Sequence, residues 1–445
     1  MTLELGDPRT YRKAARSLFR RAGGKETEIT VRESTGFLTR LAKNVVHQHG
    51  MRRECRVAIR VTERGRSSRV ELAAPDVDTL AEAFGRACAL VKAQEEEARE
   101  RSLPLLGPQH YPLIRDFDPA VEAESPARGA KKLRKILLRL RARREEASGY
   151  YSARIRNVFV ANSAGLEAFH RASACRFGLT VRKDGGIGYA SAFRVGASGL
   201  DLEAVYKEAR ARMEASRPDV RLKPGYYTVI LAPRAGAEFF GPLWEDMNLR
   251  KVRDGDSFFS GKVGRRLFSG AVTVRDDVYD PAQSGLPFDG EGVPRKKVLL
   301  IERGAVRNVV CDRKAACDFG IKATGHGAGG LAAATLPMNV VMEPGERPLD
   351  SLLEDFEEAL VFPHLWYHQV VQASTLLATG FVKGKALVWR KGRFIGGVRH
   401  PRYVQSIPRA LENAAAVTLE RETIKDREYG ASVLPFLCVR EFRMV

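Results

Sequence analysis

The sequence lacks any stretch approaching about 18 consecutive apolar residues, so no helical membrane span is expected. It also lacks a C-x-x-C pair or any close zinc-type spacing: Cys55, Cys88, Cys175, Cys311, Cys317 and Cys438 are scattered. A chain of 445 residues with 44% hydrophobic residues has ample material for its own core and does not need disulfide staples. The thiols therefore read as reduced, mostly buried small hydrophobes in a cytoplasmic protein. The opening run Met1-Thr2-Leu3-Glu4-Leu5-Gly6-Asp7 lacks the basic-then-apolar order of a signal peptide. H-E-x-x-H, G-x-S-x-G and G-x-x-x-x-G-K-[ST] are all missing, as is any fixed-period repeat. Negative charge is short as well. Lys+Arg is 74 against 54 Asp+Glu, a net +20. That surplus favours an acidic partner, nucleic acid or an anionic surface, and says nothing about fold.

What is present alternates between helical and strand patterns. Asp7-Pro8 can open a helix running through Leu18 and Phe19. Strands are expected at 28–32 and 56–61, and a helix from Asp76 to about Glu97 with Leu80, Ala83, Phe84, Ala87 and Val91 on one face. Five prolines between 102 and 127 mark a surface connection. Residues 154–196 read as long strands with turns at Ala164-Gly165 and Asp184-Gly185-Gly186, followed by a helix over 200–216. Pro224-Gly225 is a break, which suggests domains at 1–222 and 223–445. The second half is more β-rich. Strands are expected at 227–231, 296–301, 370–381 and 386–389, and helices near 234–246, 312–319, 349–358 and 405–414.

A basic helix is expected over 128–144, reaching about 146. Leu133, Ile136, Leu137 and Leu140 form its apolar stripe, and nine Lys/Arg residues, among them Lys131, Lys132, Arg134, Lys135, Arg139 and Arg141, fill most other positions. One reading is a surface for nucleic acid or membrane. The plainer one is the solvated outer face of a packed helix, since no stacking aromatics are interleaved. Gly325-His326-Gly327-Ala328-Gly329-Gly330 does not follow a strand and open a helix, so it reads as a turn rather than a phosphate cradle. His364-Leu365-Trp366-Tyr367-His368 has a metal-like spacing. On a helix or on a strand, positions i and i+4 share a face, so both imidazoles could reach one ion. No Glu follows His364 as a general base, and Pro363 favours a strand carrying two structural histidines.

Several segments, taken in order, resemble the TldD/PmbA (TldD/TldE) family, in particular its PmbA/TldE branch. They are Ala161-Asn162-Ser163-Ala164-Gly165-Leu166, the Arg40-to-Gln48 stretch, Asp256-Ser257-Phe258-Phe259-Ser260-Gly261-Lys262, Pro287-Phe288-Asp289-Gly290-Glu291-Gly292-Val293-Pro294, Thr324-Gly325-His326-Gly327 and Met342-Glu343-Pro344-Gly345. The resemblance implies an α+β fold: an N-terminal α+β domain, then a β-rich C-terminal domain, with subunits paired around a chamber. His326, Asp289 and Glu291, inside these motifs, become candidates for the chamber or substrate path. In the TldD branch an H-E-x-x-x-H helix and a later cysteine bind zinc, which activates water. The matching helix here, Ala235-Gly236-Ala237-Glu238-Phe239-Phe240-Gly241-Pro242-Leu243-Trp244-Glu245-Asp246, has no histidine. The resemblance therefore implies no catalytic residue and no zinc in this chain, with zinc in a TldD-type partner. It also implies a cytoplasmic peptidase subunit acting on small or unfolded peptides, as a dimer with that partner or with itself. Cys438 lies in an apolar run and reads as core before ligand. The remaining alternatives are a stand-alone peptidase using His364/His368 and a basic nucleic-acid-associated protein. An older family name refers to modulation of DNA gyrase, and no residue here shows a gyrase contact.

Overall fold

A computed structural model describes residues 6–73, 76–94, 103–331 and 334–445. Residues 1–5, the expected helix end at 95–97 and residue 102 of the proline-rich connection lie outside the described residues.

The first half is built on a six-stranded antiparallel sheet in the order β3-β2-β1-β4-β5-β6. Its strands are β1 (Glu26–Ala42), β2 (Val45–Glu63), β3 (Arg66–Ala73), β4 (Glu146–Asn162), β5 (Glu167–Lys183) and β6 (Gly186–Arg194). Four helices, α1 (Pro8–Arg21), α2 (Val77–Ala93), α3 (Pro126–Ala142) and α4 (Leu202–Ala215), belong to this half. They pack on one face of the sheet, against alternate residues such as Ile29 and Val31 of β1 and Cys175, Phe177 and Leu179 of β5. The starts are as the sequence indicates: Asp7 caps α1 through Arg9 N, and Asp76 forms a reciprocal capping box with Thr79. The strands are longer than expected. β1 and β2 form one hairpin whose turn, Lys43 and Asn44, has φ of +48° and +62°. That is a primed turn built without glycine, and Asn is among the residues that tolerate it.

In the second half, a mixed sheet runs β10-β9-β8-β11-β19-β7-β12-β15-β16, with β13, β14, β17 and β18 off that path. These strands are β7 (Gly225–Leu231), β8 (Val274–Asp276), β9 (Val298–Glu302), β10 (Ala305–Val306), β11 (Val340–Met342), β12 (Glu358–Phe362), β13 (Leu365–Gln372), β14 (Leu377–Val382), β15 (Lys385–Arg390), β16 (Arg393–Arg399), β17 (Arg402–Ser406), β18 (Ala414–Ile424) and β19 (Ser432–Met444). Helix α5 (Pro233–Glu245) buries Phe239, Phe240, Leu243 and Trp244 in the largest core. The run 370–381, expected as one strand, is two. A short 3-10 turn over Ala373–Thr375 divides it, and Leu376 takes a left-handed φ of +46°. The small polar residues Ser374 and Thr375 favour turns over an unbroken ladder.

The halves meet on the face of the first sheet that the helices leave open. Val158 and Val160 of β4, with Leu166 and Ala168, pack against Leu286, Phe288 and Met338. The Tyr111 hydroxyl donates to the Gly292 carbonyl at 2.7 Å. The 287–294 segment is thus a wedge between sheet and loops.

Close approach of α4 to β6 generates the first prediction. A Cβ on Gly188 would lie 2.0 Å from the Ala209 carbonyl oxygen and 2.3 Å from the Met213 nitrogen, both backbone atoms that cannot turn aside. Gly188→Ala should lower unfolding free energy by about 2 kcal/mol. Gly85→Ala, at an exposed position of α2 with nothing within 4 Å, should raise it by about 0.5–1 kcal/mol. Urea midpoints of the two variants should move in opposite directions.

Candidate functional site

Helix α5, the counterpart of the zinc helix in the sequence resemblance, presents Glu238 to the start of β13. Its carboxylate accepts from Arg234 Nε at 2.8 Å and from the Leu365 backbone N at 2.8 Å, and lies 2.9 Å from His364 Nε2. Burial alone would raise this carboxyl. The His364 ring and the Arg234 guanidinium outweigh it and leave the group below its ordinary range. The His364 ring also packs on Tyr189 at 4.9 Å. Beside it opens a cleft of about 280 Å³ between β5–β6 and the second half, bordered by Tyr189, Trp366, Lys383 and Arg399.

His368 does not share His364's partner. Its Nδ1 meets the Tyr403 hydroxyl at 2.8 Å, and the ring packs on Phe239. Sharing a face at i and i+4 requires an unbroken strand, and this one is broken. Tyr367 has a left-handed φ of +51°, and the ladder register shifts between Trp366 and Gln369. Cys438 is farther off in kind. It packs with Ile230, Leu353 and Leu387 in a separate cluster, while its neighbours Leu437 and Val439 join the core under α5. Burial pushes its thiol up to about 12. A zinc ion needs at least three such donors around one point. Among the described residues no three His, Cys, Asp or Glu side chains form such a group. The donors present around α5 do not fit a metal ion.

The motif residues His326, Asp289 and Glu291 come together in a different place. His326 Nε2 is 3.1 Å from Asp276 Oδ1, and neither side chain has any exposed surface. Asp276 Oδ2 accepts from Met338 N and Asn339 N at 2.6 and 2.7 Å. Burial works against this carboxylate, but the His326 ring and Arg295 hold it down at about 2. Asp289 accepts from Glu291 N, Val293 N and Gly327 N, which ties the 287–294 wedge to the glycine-rich turn. Burial keeps the Asp289 carboxyl above its ordinary range. These groups pin loops and are closed to solvent within the subunit. Glu291 is half-buried, and burial together with Asp289 raises it to about 7. Of the two acids, Glu291 is the one that reaches solvent, since Asp289 is buried.

The basic helix is α3, and Leu133, Ile136 and Leu140 are its buried stripe with Leu137 packed alongside. Lys131, Arg134, Lys135 and Arg141 are exposed. Lys132 is not an outward residue: its ammonium lies 2.8 Å from Glu124 and over the Tyr151 ring. Arg139 pairs with Glu203 of α4. Sequence reasoning missed a second basic surface. Arg52, Glu54 and Arg56 on β2 and Arg154 and Arg156 on β4 alternate with period two, which puts each set on one sheet face. That alternation was the available signal.

Lys131→Glu, Arg134→Glu and Lys135→Glu together should leave the thermal midpoint within about 2 °C, while Lys132→Glu alone should cost about 1–2 kcal/mol by facing Glu124 with a second carboxylate. Burial lowers the His368 imidazole from 6.5 to about 4. Between these values the unfolded chain binds the proton and the folded chain does not, so stability falls as pH drops from about 6.5 to 4. The difference between wild type and His368→Asn should change by on the order of 2 kcal/mol across that window, read from urea unfolding at each pH.

Comparison with known proteins agrees with this architecture. Residues 224–445 match the PmbA/TldA metallopeptidase C-terminal domain, and residues 113–217 the PmbA/TldA metallopeptidase central domain. A metalloprotease of Methanocaldococcus jannaschii is 32% identical over 165 residues, covering 36% of this chain and 36% of that protein. A metalloprotease TldD homolog of Haemophilus influenzae is 31% identical over 123 residues, covering 26% of this chain and 25% of that one. The chain thus spans about a third or less of the length of these two relatives. The crystal structure of TldE from Thermococcus kodakarensis superposes with a TM-score of 0.85 at 22% identity, over 97% of this chain and 100% of that one. A Thermotoga maritima protein named for modulation of a DNA gyrase gives 0.87 at 18% identity, over 98% and 100%. The two matched domains fill most of the chain, the solved structures share its whole fold, and the chain belongs to the PmbA/TldD family of metallopeptidases.

Proposed function

We propose that this chain is the TldE-like subunit of a cytoplasmic TldD/TldE-type metallopeptidase that processes small or unfolded peptides. In this reading the subunit shapes the chamber and the peptide path, and a TldD-type partner with the H-E-x-x-x-H helix supplies the zinc. Residues 1–222 and 223–445 act as its two domains, and Glu291 borders the path.

The observation that carries the reading is the state of α5. The H-E-x-x-x-H helix of a TldD-type partner offers two imidazoles, and the matching helix here has none between Ala235 and Asp246. Its Glu238 lies behind the cleft-lining His364 and is engaged by Arg234, His364 and the Leu365 amide. A carboxylate held by two cationic or hydrogen-bonding side chains and an amide is spent on structure rather than on a water molecule. A stand-alone metal site at His364/His368 loses its support because the two rings turn to different partners. For α3 as a nucleic-acid surface, Lys132 and Arg139 are already paired with carboxylates.

Metal content and partner capture test this. The purified chain should carry far less than one zinc per subunit, and immobilised chain should retain a family member bearing H-E-x-x-x-H from the same cells. A pair of this kind should bury roughly 2,000 Å² or more. One zinc per chain that disappears on His364→Ala or His368→Ala would overturn the proposal.

A further inference from the structure

The open face of the first sheet is not all covered by the second half. Val158 and Val160 are sealed, but the next residues of the same parity toward the start of β4 are Arg156 and Arg154. Strand register sets further arginines around them. Arg156 stands opposite Ser34 and Arg154 opposite Gly36 on β1. Gly36 and Ser34 in turn face Arg52 and Glu54 on β2, and Arg32 faces Arg56. Arg176 of β5 is opposite Ser152. Residues directly opposite share a face, so six arginines from four strands project into one cleft. Its far wall is the 425–429 loop of the second half, which adds Lys425 and Arg427, and its volume is about 440 Å³.

The carboxylates nearby do not balance these cations. Glu71 serves both Arg32 and Arg56, at 2.7 and 3.3 Å, and Glu54 pairs with Arg52. Glu428 lies 3.7 Å from Arg156, and Asp426 3.8 Å from Arg427. Among the described residues, Arg154 and Arg176 have neither a carboxylate nor a hydrogen-bond partner, and both are half-buried. Arg156 Nη1 donates to the Glu428 carbonyl at 2.8 Å, while its buried Nε, 3.7 Å from the Glu428 carboxylate, makes no hydrogen bond. Lys425 is buried and, among the described residues, donates only to Ser284, through its carbonyl at 2.8 Å and its hydroxyl at 3.0 Å. Crowding shows in their protonation. Burial lowers Arg156 to about 10, and burial, opposed by Asp116 and reinforced by Arg156 and Arg176, brings Lys425 to about 7. Uncompensated, half-buried guanidinium groups from separate strands are costly to fold together unless an anion completes them.

We propose that this cleft is a binding site for an acidic peptide segment, whose Glu or Asp carboxylates pair with Arg154, Arg156 and Arg176. The identity of the ligand as a peptide rests on the function proposed above. The lining favours discrete carboxylates over a polynucleotide. Its one aromatic residue, Tyr429, is 8% exposed and packed in the core between the halves, so no ring is free to stack a base. Glu54, Asp426 and Glu428 interrupt the positive surface, which suits side chains that meet arginines one at a time better than an unbroken phosphate chain. Guanidinium forks match carboxylate geometry in a bidentate manner.

The test uses the full chain and fluorescence anisotropy with labelled hexaglutamate, hexaserine and hexathymidylate. Hexaglutamate should bind more tightly than either control and weaken as salt rises. Arg154→Ser with Arg176→Ser should weaken it about tenfold or more. Lys131→Ser with Lys135→Ser, which removes the same charge from α3, should change it less than about threefold. If the cleft double variant does not fold, Arg52→Ser on the exposed rim serves in its place, with a smaller loss in the same direction. Hexaglutamate binding no tighter than hexaserine, equal losses in the two double variants, or hexathymidylate binding most tightly through the cleft arginines would each overturn the proposal. None of these outcomes alters zinc content or partner capture, so this inference and the subunit reading fail separately.

Discussion

Val158 and Val160 on β4 face the second half of the chain, and the loops that seal them decide what the neighbouring Arg156 and Arg154 can meet. Strand alternation leaves no freedom here: residues two apart share a face, so an apolar pair and a basic pair must look the same way. Leu286, Phe288 and Met338 cover the valines. Each buried valine contributes about 1.5–3 kcal/mol relative to exposure. That docking places the 425–429 loop over the arginines without neutralising them. The joint between the halves and the basic cleft are therefore consequences of one packing event.

The wedge that makes the contact is held from within. Pro287-Phe288-Asp289-Gly290-Glu291-Gly292-Val293-Pro294 has almost no regular secondary structure, so its amides need other acceptors. Asp289 supplies them for Glu291, Val293 and Gly327, and Asp276 does the same for Met338 and Asn339. Arg295 is buried, with both carboxylates acting on its charge, and His326 Nε2 lies 3.1 Å from Asp276. Removing one member would leave a buried charge without compensation, which is far more damaging than losing a surface pair. This explains why residues that look like active-site chemistry in the sequence serve as scaffold. Ionisable groups in glycine-rich loops are also what an irregular backbone needs in order to be buried at all.

Local pattern carried much of the fold. Asp7, Asp76 and the Leu133/Ile136/Leu140 stripe announce their helices, and Asp184-Gly185-Gly186 announces its turn. The β1–β2 hairpin was hidden because Lys43-Asn44 makes its turn without glycine and because residues 45–53 are exposed without alternation. The division of 370–381 was hidden by a continuous run of strand-compatible residues around a short polar turn. The bulge at Tyr367 was invisible for a similar reason, and it is what separates the partners of His364 and His368. Site residues were harder still. Glu238 meets Leu365 across 127 positions, and the β1–β4 ladder joins Glu28 to Asn162. Periodicity reports which residues share a face of one strand; it cannot report which strand lies alongside.

The same distinction locates the charge surplus. A +20 chain can carry its excess as solvated side chains on outer faces, where water and salt screen them at little cost. Much of α3 is of this kind, and two of its cations, the half-buried Lys132 and the exposed Arg139, have carboxylates waiting at Glu124 and Glu203. The sheet cleft is organised in the opposite way. There the arginines come from four strands, Arg32, Arg154, Arg156 and Arg176 are partly withdrawn from water, and the lining holds fewer carboxylates than cations. Residues 128–144, on and just beyond α3, carry nine Lys/Arg residues, yet the unmet electrostatic demand is in the cleft. Burial, which only the fold sets, converts a basic composition into a specific place for an acidic ligand.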